Sequence, residues 1–284
     1  MLPQPNDGFA WAQAAAGPAL VCRALQPLAD HLFTTRGWAI GSAAADRTDE
    51  SWDEVARAIG VDPRALVRVR QVHGAAVFVL RGVDVYEPFR LHEADIIVSD
   101  DPIRALAIQT ADCVPLLVAD RRTGAVAAAH AGWRGLAARV PELTVARLAR
   151  EFDSHPADLV AAIGPSISSC CYEVGADVRD MFASGGFLER DLDRWFFSGP
   201  RSSARNPSMS GLHAPRPQHW FFDGWGAARH QLEAAGVPPE QIGVAELCSA
   251  SHSEWLCSYR RDGKAAGRMA AAIRPRQTRR SSAI

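Results

Sequence analysis

The sequence contains no apolar run that approaches the roughly 18–20 residues a helix needs to cross a bilayer. The first residues also lack the basic segment of a secretory signal, and Asp7 interrupts the stretch where its apolar segment would lie. We therefore expect no membrane partner and no export, and we predict a cytoplasmic location.

Charge of either sign is not in excess. The 284 residues include 31 Lys and Arg and 32 Asp and Glu, which gives a formal net charge of −1. This balance gives no reason to expect nucleic acid as a partner. Arginines are concentrated only towards the end of the chain, and we interpret residues 276–284 as a solvated basic tail.

Disulfides and several well-known enzyme motifs are also missing. Six cysteines in a chain of this length do not resemble a disulfide framework, so we expect reduced thiols. The sequence contains no G-x-G-x-x-G, no P-loop, no H-E-x-x-H and no G-x-S-x-G. A dinucleotide-binding domain, a P-loop nucleotidase, a zincin protease and an α/β-hydrolase therefore have no support.

What the sequence does contain is a series of short, nearly continuous apolar runs. These runs predict strands buried on both faces, with helices packed against the sheet. Strands are predicted at 31–37, 76–80, 94–99, 105–108, 114–120, 125–131, 159–164 and 242–248, and helices at 49–59, 135–152, from about 176 and at 223–236. Residues 267–273 fit either a strand or a helix. Because strict βαβ alternation is absent, we predict an α+β fold with a mixed β-sheet and one domain.

The domain organisation is predicted from changes in composition. Residues 1–30 read as a loosely specified lead-in, and 31–275 as the catalytic domain. Within that domain, Gly, Ser, Pro and Arg accumulate over 184–219, which predicts a long loop excursion.

Three residues at the ends of predicted strands have the chemistry of a zinc site. They are His73 in "RQVHGAAV", Cys113 in "TADCVP" and His130 in "AHAGWRG". A catalytic zinc uses three nitrogen or sulfur ligands and keeps one position open. The separations of 40 and 17 residues are not a local motif, so the fold would have to bring the ligands together. Two other interpretations stay open: ordinary interior side chains, or a Cys113 thiolate nucleophile with a histidine base.

A second set of soft ligands lies in "CSASHSEWLC", where Cys248, His252 and Cys257 have nearly local spacing. The "HSE" within it imitates the H-x-E of zinc deaminases, but the P-C-x-x-C that should follow is missing. The alternative interpretation is a loop with buried thiols.

Arginines in three turns are candidates for binding an anion. Arg134 lies between glycines at a predicted helix start, where free N–H groups favour phosphate. Arg260 lies in "SYRRDG" and Arg36 in "FTTRG". Each of the three also fits an ordinary surface ion pair.

These stretches together resemble the family long known as laccase-domain or multicopper polyphenol oxidase proteins, whose members are regarded as purine nucleoside phosphorylases with adenosine deaminase activity. The matching blocks run from about residue 31 to 273 and include "FTTRG", "RQVHGAAV", "ADIIVSD", "TADCVP", "AHAGWRG", "AIGPSISSCCYEVG" and "CSYRRDGKAAGRMA". Two departures are the "GWAIGSAAADRTD" after "TTR", and Cys257, where the family commonly has an aromatic residue.

The resemblance implies a mixed β-sheet sandwich with helices outside and a zinc site made by His73, Cys113 and His130. It also implies purine nucleosides and inorganic phosphate as substrates, with Arg134, Arg260 and Arg36 near the phosphate. Asp112, beside Cys113, is the candidate proton shuttle for deamination. We expect a monomer or a weak homodimer.

The sequence leaves three other functions open. A copper polyphenol oxidase would need many histidines, usually as His-x-His pairs, and the nine histidines here form no such pair. A thiol hydrolase would use Cys113 with a histidine. A non-catalytic protein would hold zinc in a structural site with four protein ligands.

Overall fold

A computed structural model describes residues 1–41, 48–84, 86–87, 91–212 and 216–276. Its strands are β1 (Phe9–Ala14), β2 (Gly17–Cys22), β3 (Ala29–Thr34), β4 (Leu66–Val67), β5 (Val77–Leu80), β6 (Ile96–Ser99), β7 (Ala105–Thr110), β8 (Val114–Asp120), β9 (Val126–Ala131), β10 (Leu159–Ile163), β11 (Glu173–Gly175), β12 (Phe196–Phe197), β13 (His219–Phe222), β14 (Ile242–Val244) and β15 (Met269–Pro275). Its α-helices are α1 (Thr48–Ala58), α2 (Trp133–Ala137), α3 (Val140–Phe152), α4 (Ala176–Ser184), α5 (Glu189–Trp195), α6 (Gly224–Ala234) and α7 (Tyr259–Asp262).

Twelve of these strands form two mixed six-stranded sheets. The first sheet has the order β1-β2-β3-β15-β7-β4, and all of its pairs are antiparallel except β4 with β7. The second has the order β14-β10-β8-β9-β6-β5, in which the two outer pairs are parallel. The remaining three strands form a separate small sheet in the order β11-β13-β12. The predicted α+β fold with mixed sheets in one domain is confirmed, and most of the ambiguous segment 267–273 belongs to strand β15, which begins at Met269.

The two large sheets pack face to face, with helices on the outer faces. Along β8, Leu116 and Val118 belong to the core beneath α2, α3 and α6, whereas Leu117 and Ala119 belong to the core between the sheets. Successive residues of a strand point to opposite faces, so both sets are apolar only because both faces are covered. This is the physical reason for the nearly continuous apolar runs in the sequence.

Helix α1 covers the outer face of the first sheet. Its apolar side chains Trp52 and Val55, together with Ile59 just after its last residue, recur at helical spacing and pack on Leu66 in a core of their own. Gly60 follows the helix with a φ of +78°, a left-handed conformation that glycine adopts without strain. The helix predicted at 49–59 is therefore confirmed.

Two segments differ from the sequence-based expectation. Residues 1–30 are not a loose lead-in, because β1 and β2 form a hairpin that adds two strands to the first sheet. The excursion at 184–219 is only partly loop, because α5 and β12 lie within it, with the buried side chains of Leu192 and Trp195. Its irregular part begins at residue 198.

The predicted helix at 135–152 is divided in two. Helix α2 ends at Ala137, Arg139 takes a left-handed φ of 60°, and α3 begins at Val140. Pro141 lies in the first turn of α3, where its missing N–H leaves no hydrogen bond unmade. Pro141 therefore marks the start of the second helix.

The basic tail lies outside the described residues apart from Arg276, which forms an ion pair with Asp30. No helix within the described part of the chain is both long and apolar enough to cross a membrane.

The buried His31 should make the stability of this fold depend on pH. Its Nε2 accepts a hydrogen bond from the Cys22 N–H at 2.8 Å, and burial lowers its pKa. The unfolded chain therefore takes up a proton below about pH 6.5 that the folded chain resists, so stability falls as pH decreases. Urea denaturation measures the free energy of unfolding at pH 7.5 and at pH 5.5. We expect this free energy to fall less between the two pH values for His31→Gln than for the wild type. The exposed His155→Gln should keep the wild-type loss; equal losses in all three proteins would contradict this role.

Candidate metal centre

The β8–β9 hairpin brings two of the three candidate ligands together. Val114 lies opposite Ala131 and Pro115 opposite His130 in the antiparallel register, so Cys113, one residue before β8, reaches the level of Gly132. The separation of 17 residues between Cys113 and His130 is therefore the length of one hairpin. The third candidate, His73, comes from the loop between β4 and β5.

The structure converges all three side chains. The candidate ligand atoms of His73, Cys113 and His130 lie within 4.8 Å of one another. The two imidazole rings are 4.8 Å apart between centroids and almost perpendicular, at 86°. His130 is buried, Cys113 is partly exposed and His73 is exposed, so the cluster is open to solvent on one side. Two imidazoles and one thiol with an open side match the donor set of a catalytic zinc.

A buried carboxylate, which the sequence reasoning did not single out, orients both histidines. Asp95 Oδ1 lies 2.8 Å from His130 Nδ1 and accepts the His73 backbone N–H at 3.0 Å. Asp95 Oδ2 accepts the N–H of Gly74 at 2.7 Å. These bonds fix the loop at His73, whose φ is +59°, and leave Nε2 of His130 for a metal. Burial opposes the ionised form of Asp95, but its bond to His130 and these N–H groups lower its pKa.

The thiol and the buried imidazole change each other's ionisation. Burial favours the neutral thiol, yet the charge and hydrogen bonds of His130, with those of His73, lower the pKa of Cys113 to about 6. Burial likewise opposes protonation of His130, but the Cys113 charge and Asp95 raise its pKa to about 9. Without a metal, the pair is therefore a thiolate beside an imidazolium, and a bound cation would replace the imidazolium proton.

Gly132 is required for this close approach. A Cβ at this position would lie 2.8 Å from Cys113 Sγ and 3.5 Å from the His73 ring, and the first distance is too short for any real contact. A larger residue would therefore displace the thiol from the cluster. The donor set and this glycine cradle together fit a single metal ion.

The cluster opens into a cavity of about 490 Å³, a size typical of small-molecule sites. Besides the three candidate ligands, its walls are formed by Gln71, Gln109, Thr110, Ala111, Asp112, Trp133, Arg134, Tyr172, Tyr259, Arg260 and Arg268. Two of the three predicted anion-binding arginines, Arg134 and Arg260, therefore face the same cavity as the cluster. Arg268 is a third cation there, which the sequence reasoning missed.

Neighbouring groups position these arginines. The Arg134 guanidinium lies 4.1 Å above the Trp133 ring, and that of Arg260 lies 4.7 Å above Tyr172. Arg260 also donates from Nη1 to the Glu173 carbonyl at 2.6 Å. Each guanidinium therefore has a defined place on the cavity wall.

Arg36 does not join them. It pairs with Asp262 at 3.3 Å, donates to the Ser253 carbonyl at 2.7 Å and is absent from the cavity walls. The structure therefore does not bring Arg36 together with Arg134 and Arg260, and its guanidinium instead ties the loop after β3 to Ser253 and to Asp262 of α7.

Asp112 lines the cavity with a left-handed φ of 90° and a buried carboxylate. Its Oδ1 accepts the Ser249 hydroxyl at 2.6 Å and its Oδ2 accepts the Arg260 backbone N–H at 2.6 Å. Burial raises its pKa despite these bonds. Asp112 thus fixes the start of α7, which carries Arg260, and its carboxylate takes up a proton more readily than an exposed one.

The rival set is not assembled. Cys248 lies in a small core with Cys170 and Cys171, while Cys257 belongs to the core between the two sheets. Neither His252 nor Cys257 joins any group of three or more convergent metal-binding side chains in the described residues.

The fold and the cluster define a class: a two-sheet α+β sandwich with an open two-histidine, one-cysteine site. The family model described as multi-copper polyphenol oxidoreductase laccase matches residues 39–276, which is most of the chain. The chain therefore belongs to this laccase-domain family, as the resemblance predicted.

Relatives within the family carry names of enzymes. The chain is 39% identical over 183 residues to "Purine nucleoside phosphorylase" of Bacteroides thetaiotaomicron, a match covering 64% of this chain and 61% of that protein. It is 34% identical over 236 residues to "Purine nucleoside phosphorylase YfiH" of Escherichia coli, covering 82% and 84%. It is 33% identical over 219 residues to "Adenosine deaminase RL5" of an unknown prokaryotic organism, covering 75% and 76%.

Solved structures share the fold. The crystal structure of YlmD from Geobacillus stearothermophilus superposes with a TM-score of 0.75 at 27% identity, over 94% of this chain and 99% of that one. This agreement extends over nearly the whole chain, and it bears out the fold class independently of any site residue.

Substituting Asp95 should weaken metal binding without removing a ligand. Asp95→Asn keeps the shape of the side chain but loses the charge that holds both His130 and the His73 loop. We expect Zn²⁺ affinity, measured by competition with a chromophoric chelator, to fall by about 10–100-fold. The exposed Asp100→Asn is the matched control and should bind like the wild type. Unchanged affinity in Asp95→Asn would remove the carboxylate from the centre.

Proposed function

We propose that this protein is a zinc-dependent purine nucleoside phosphorylase that also deaminates adenosine. The observation that carries the proposal is the open cluster of His73, Cys113 and His130 at one end of a cavity whose walls hold Arg134 and Arg260. The names of the relatives supply the reaction class, and the cavity supplies a place where a nucleoside and an anion can meet.

His73, Cys113 and His130 are the residues that would hold the metal. Nitrogen and sulfur donors with an open side suit zinc, and a bound zinc would act as a Lewis acid towards an oxygen placed at its open position. Asp95 keeps the imidazoles aligned for that purpose, and the depressed pKa of Cys113 supplies the thiolate at neutral pH.

In phosphorolysis, an oxygen of inorganic phosphate forms a bond to C1′ of the ribose as the bond from C1′ to the purine N9 breaks. The purine leaves with the bonding electrons and takes up a proton, and ribose 1-phosphate remains. Arg134, Arg260 and Arg268 would bind the phosphate and hold it against the sugar, where positive charge develops. The rings of Trp133, Tyr172 and Tyr259 offer apolar surfaces for the purine.

In deamination, water replaces the amino group at C6 of adenosine, giving inosine and ammonia. Asp112 is the carboxyl that we propose as the proton shuttle, since its pKa is raised by burial and it lines the cavity beside Cys113. The same carboxylate positions Arg260 through its backbone N–H, so Asp112 would serve both reactions.

A thiol hydrolase is the second candidate, and the thiolate–imidazolium pair of Cys113 and His130 favours it. A copper polyphenol oxidase has weaker support. Among the described residues, only His73 and His130 take part in a convergent metal-binding group, whereas multicopper centres need several more histidines.

Location and assembly remain part of the proposal. All six cysteines are free thiols, which suits a reducing compartment such as the cytoplasm. We further propose a monomer or weak homodimer, with no nucleic acid or membrane as partner.

The proposed reaction can be tested by incubating the protein with adenosine, with and without inorganic phosphate, and separating the products by chromatography. We expect adenine only when phosphate is present, because the phosphate is a reactant. Inosine should form without phosphate, and hypoxanthine should follow when phosphate is added.

Cys113→Ala should lower the rate of both reactions by at least about 1,000-fold, since it removes a proposed direct ligand of the metal ion. The buried Cys22→Ala is the control and should keep its activity. Phosphate-independent release of adenine, or an active Cys113→Ala enzyme, would contradict the proposal.

Arg260 and Arg36 form a matched pair for testing phosphate binding. Arg260→Ala should raise the KM for phosphate by about 10–100-fold, the loss expected for a charge-assisted hydrogen bond, and should change the KM for inosine much less. Arg36→Ala removes an arginine that is not among the cavity walls, so its phosphate KM should match the wild type. Equal effects of Arg260→Ala on both KM values would exclude it from phosphate binding.

A further inference from the structure

Three cysteines outside the metal centre converge on a second point. The sulfur atoms of Cys170, Cys171 and Cys248 lie within 4.8 Å of one another, and Cys170 Sγ is 3.6 Å from Cys171 Sγ. The proposed nucleoside chemistry uses none of them.

The fold brings these residues together by two local features. The chain turns at 168–171, where the Cys171 N–H donates to the Ser168 carbonyl at 2.9 Å, so that neighbouring side chains converge instead of pointing to opposite faces. A bridge between Ser166 and Cys248 then places the loop after β14 beside this turn. The Cys248 N–H is held by Asn206 Oδ1 at 2.8 Å.

The three thiols are almost completely buried, with exposures of 0–1%. Their polar neighbours are few. Ser251 Oγ lies 3.5 Å from Cys170 Sγ and 3.6 Å from Cys171 Sγ, while its own hydroxyl donates to the Pro207 carbonyl at 2.6 Å. The Met209 N–H points at Cys171 Sγ at 3.3 Å. The cluster is thus a buried pocket in which most of the atoms able to bind a metal ion are sulfurs.

The spacing of Cys170 Sγ and Cys171 Sγ is close to what a shared metal ion requires, and Cys248 Sγ lies within 4.8 Å of both. Thiolates that share a tetrahedral ion at about 2.3 Å stand about 3.8 Å apart, close to the Cys170–Cys171 distance. Thiolate sulfurs select soft, thiophilic ions such as Zn²⁺ and Cu(I) over oxygen-preferring ions. We propose that Cys170, Cys171 and Cys248 bind one thiophilic d¹⁰ metal ion, separate from the ion held by His73, Cys113 and His130.

Such an ion would stabilise the segments that carry part of the wall of the cavity beside His73, Cys113 and His130. Cys171 precedes Tyr172, which lines the cavity, and Cys248 precedes Ser249, which donates to Asp112. The loop carrying Asn206 and Pro207 contacts the same cluster. One ion would therefore join two segments that are far apart in the chain, with the Asn206–Pro207 loop hydrogen-bonded to both, as a structural metal site does.

The test uses the full chain with Cys113→Ala, so that the open cluster no longer contributes. Under anaerobic, reducing conditions this protein is titrated separately with Zn²⁺ and with Cu(I), each in competition with a chromophoric chelator. We expect one ion of at least one kind per chain and a rise in Tm on binding. Which ion binds more tightly identifies the metal.

Serine variants then locate the site. Added to Cys113→Ala, either Cys170→Ser or Cys248→Ser should weaken binding by more than about 100-fold, because losing a direct ligand exceeds the usual effect of losing a supporting group. Cys22→Ser, a buried thiol outside both clusters, should have no effect. Failure of both ions to bind, or equal binding by Cys248→Ser, would overturn the proposal. If a serine variant does not fold, X-ray absorption of the loaded Cys113→Ala protein decides: three sulfur neighbours support the site, and a shell of nitrogen and oxygen contradicts it.

Discussion

The metal centre depends on the buried carboxylate of Asp95. It accepts hydrogen bonds from the loop that presents His73 and from the ring of His130, so one side chain aligns two ligands from different parts of the chain. A buried carboxylate without partners would be strongly unfavourable, whereas here the ring of His130 and the N–H groups of the loop that presents His73 are its hydrogen-bond donors. The same contacts therefore satisfy the core and orient the ligands.

The two-sheet sandwich positions the other residues of the site around Asp95. The β8–β9 hairpin sets Cys113 beside Gly132, and the absence of a side chain there leaves room for the thiol. Helices α2 and α7 begin at the cavity and carry Arg134 and Arg260, the second of which is held through Asp112. One loop and the ends of one hairpin therefore carry the candidate metal ligands, and the adjoining helix starts carry the candidate anion-binding cations.

Much of this could be predicted because buried strands leave a clear pattern: both faces of β8 and β9 are apolar, and their runs in the sequence are continuous. The hairpin β1–β2 left no such pattern, because most of its residues are partly exposed. The family resemblance pointed to the three candidate ligands, whose convergence in the structure no spacing rule could give. Asp95 and the Cys170–Cys171–Cys248 cluster were missed because the groups that meet there come from distant segments, and Arg268 was missed because only the fold places it on the cavity wall. Arg36 was assigned to the phosphate because sequence does not reveal that Asp262 and the Ser253 carbonyl already hold its guanidinium.

The central claim is that His73, Cys113 and His130 share one zinc ion and leave one of its positions free. Anomalous diffraction from crystals of the purified protein, recorded on either side of the zinc absorption edge, tests it most directly. We predict an anomalous peak for one zinc ion that is bonded to two imidazole nitrogens and to the Cys113 sulfur, with no fourth protein ligand. A peak with four protein ligands, copper in place of zinc, or no ion shared by these three side chains would contradict it.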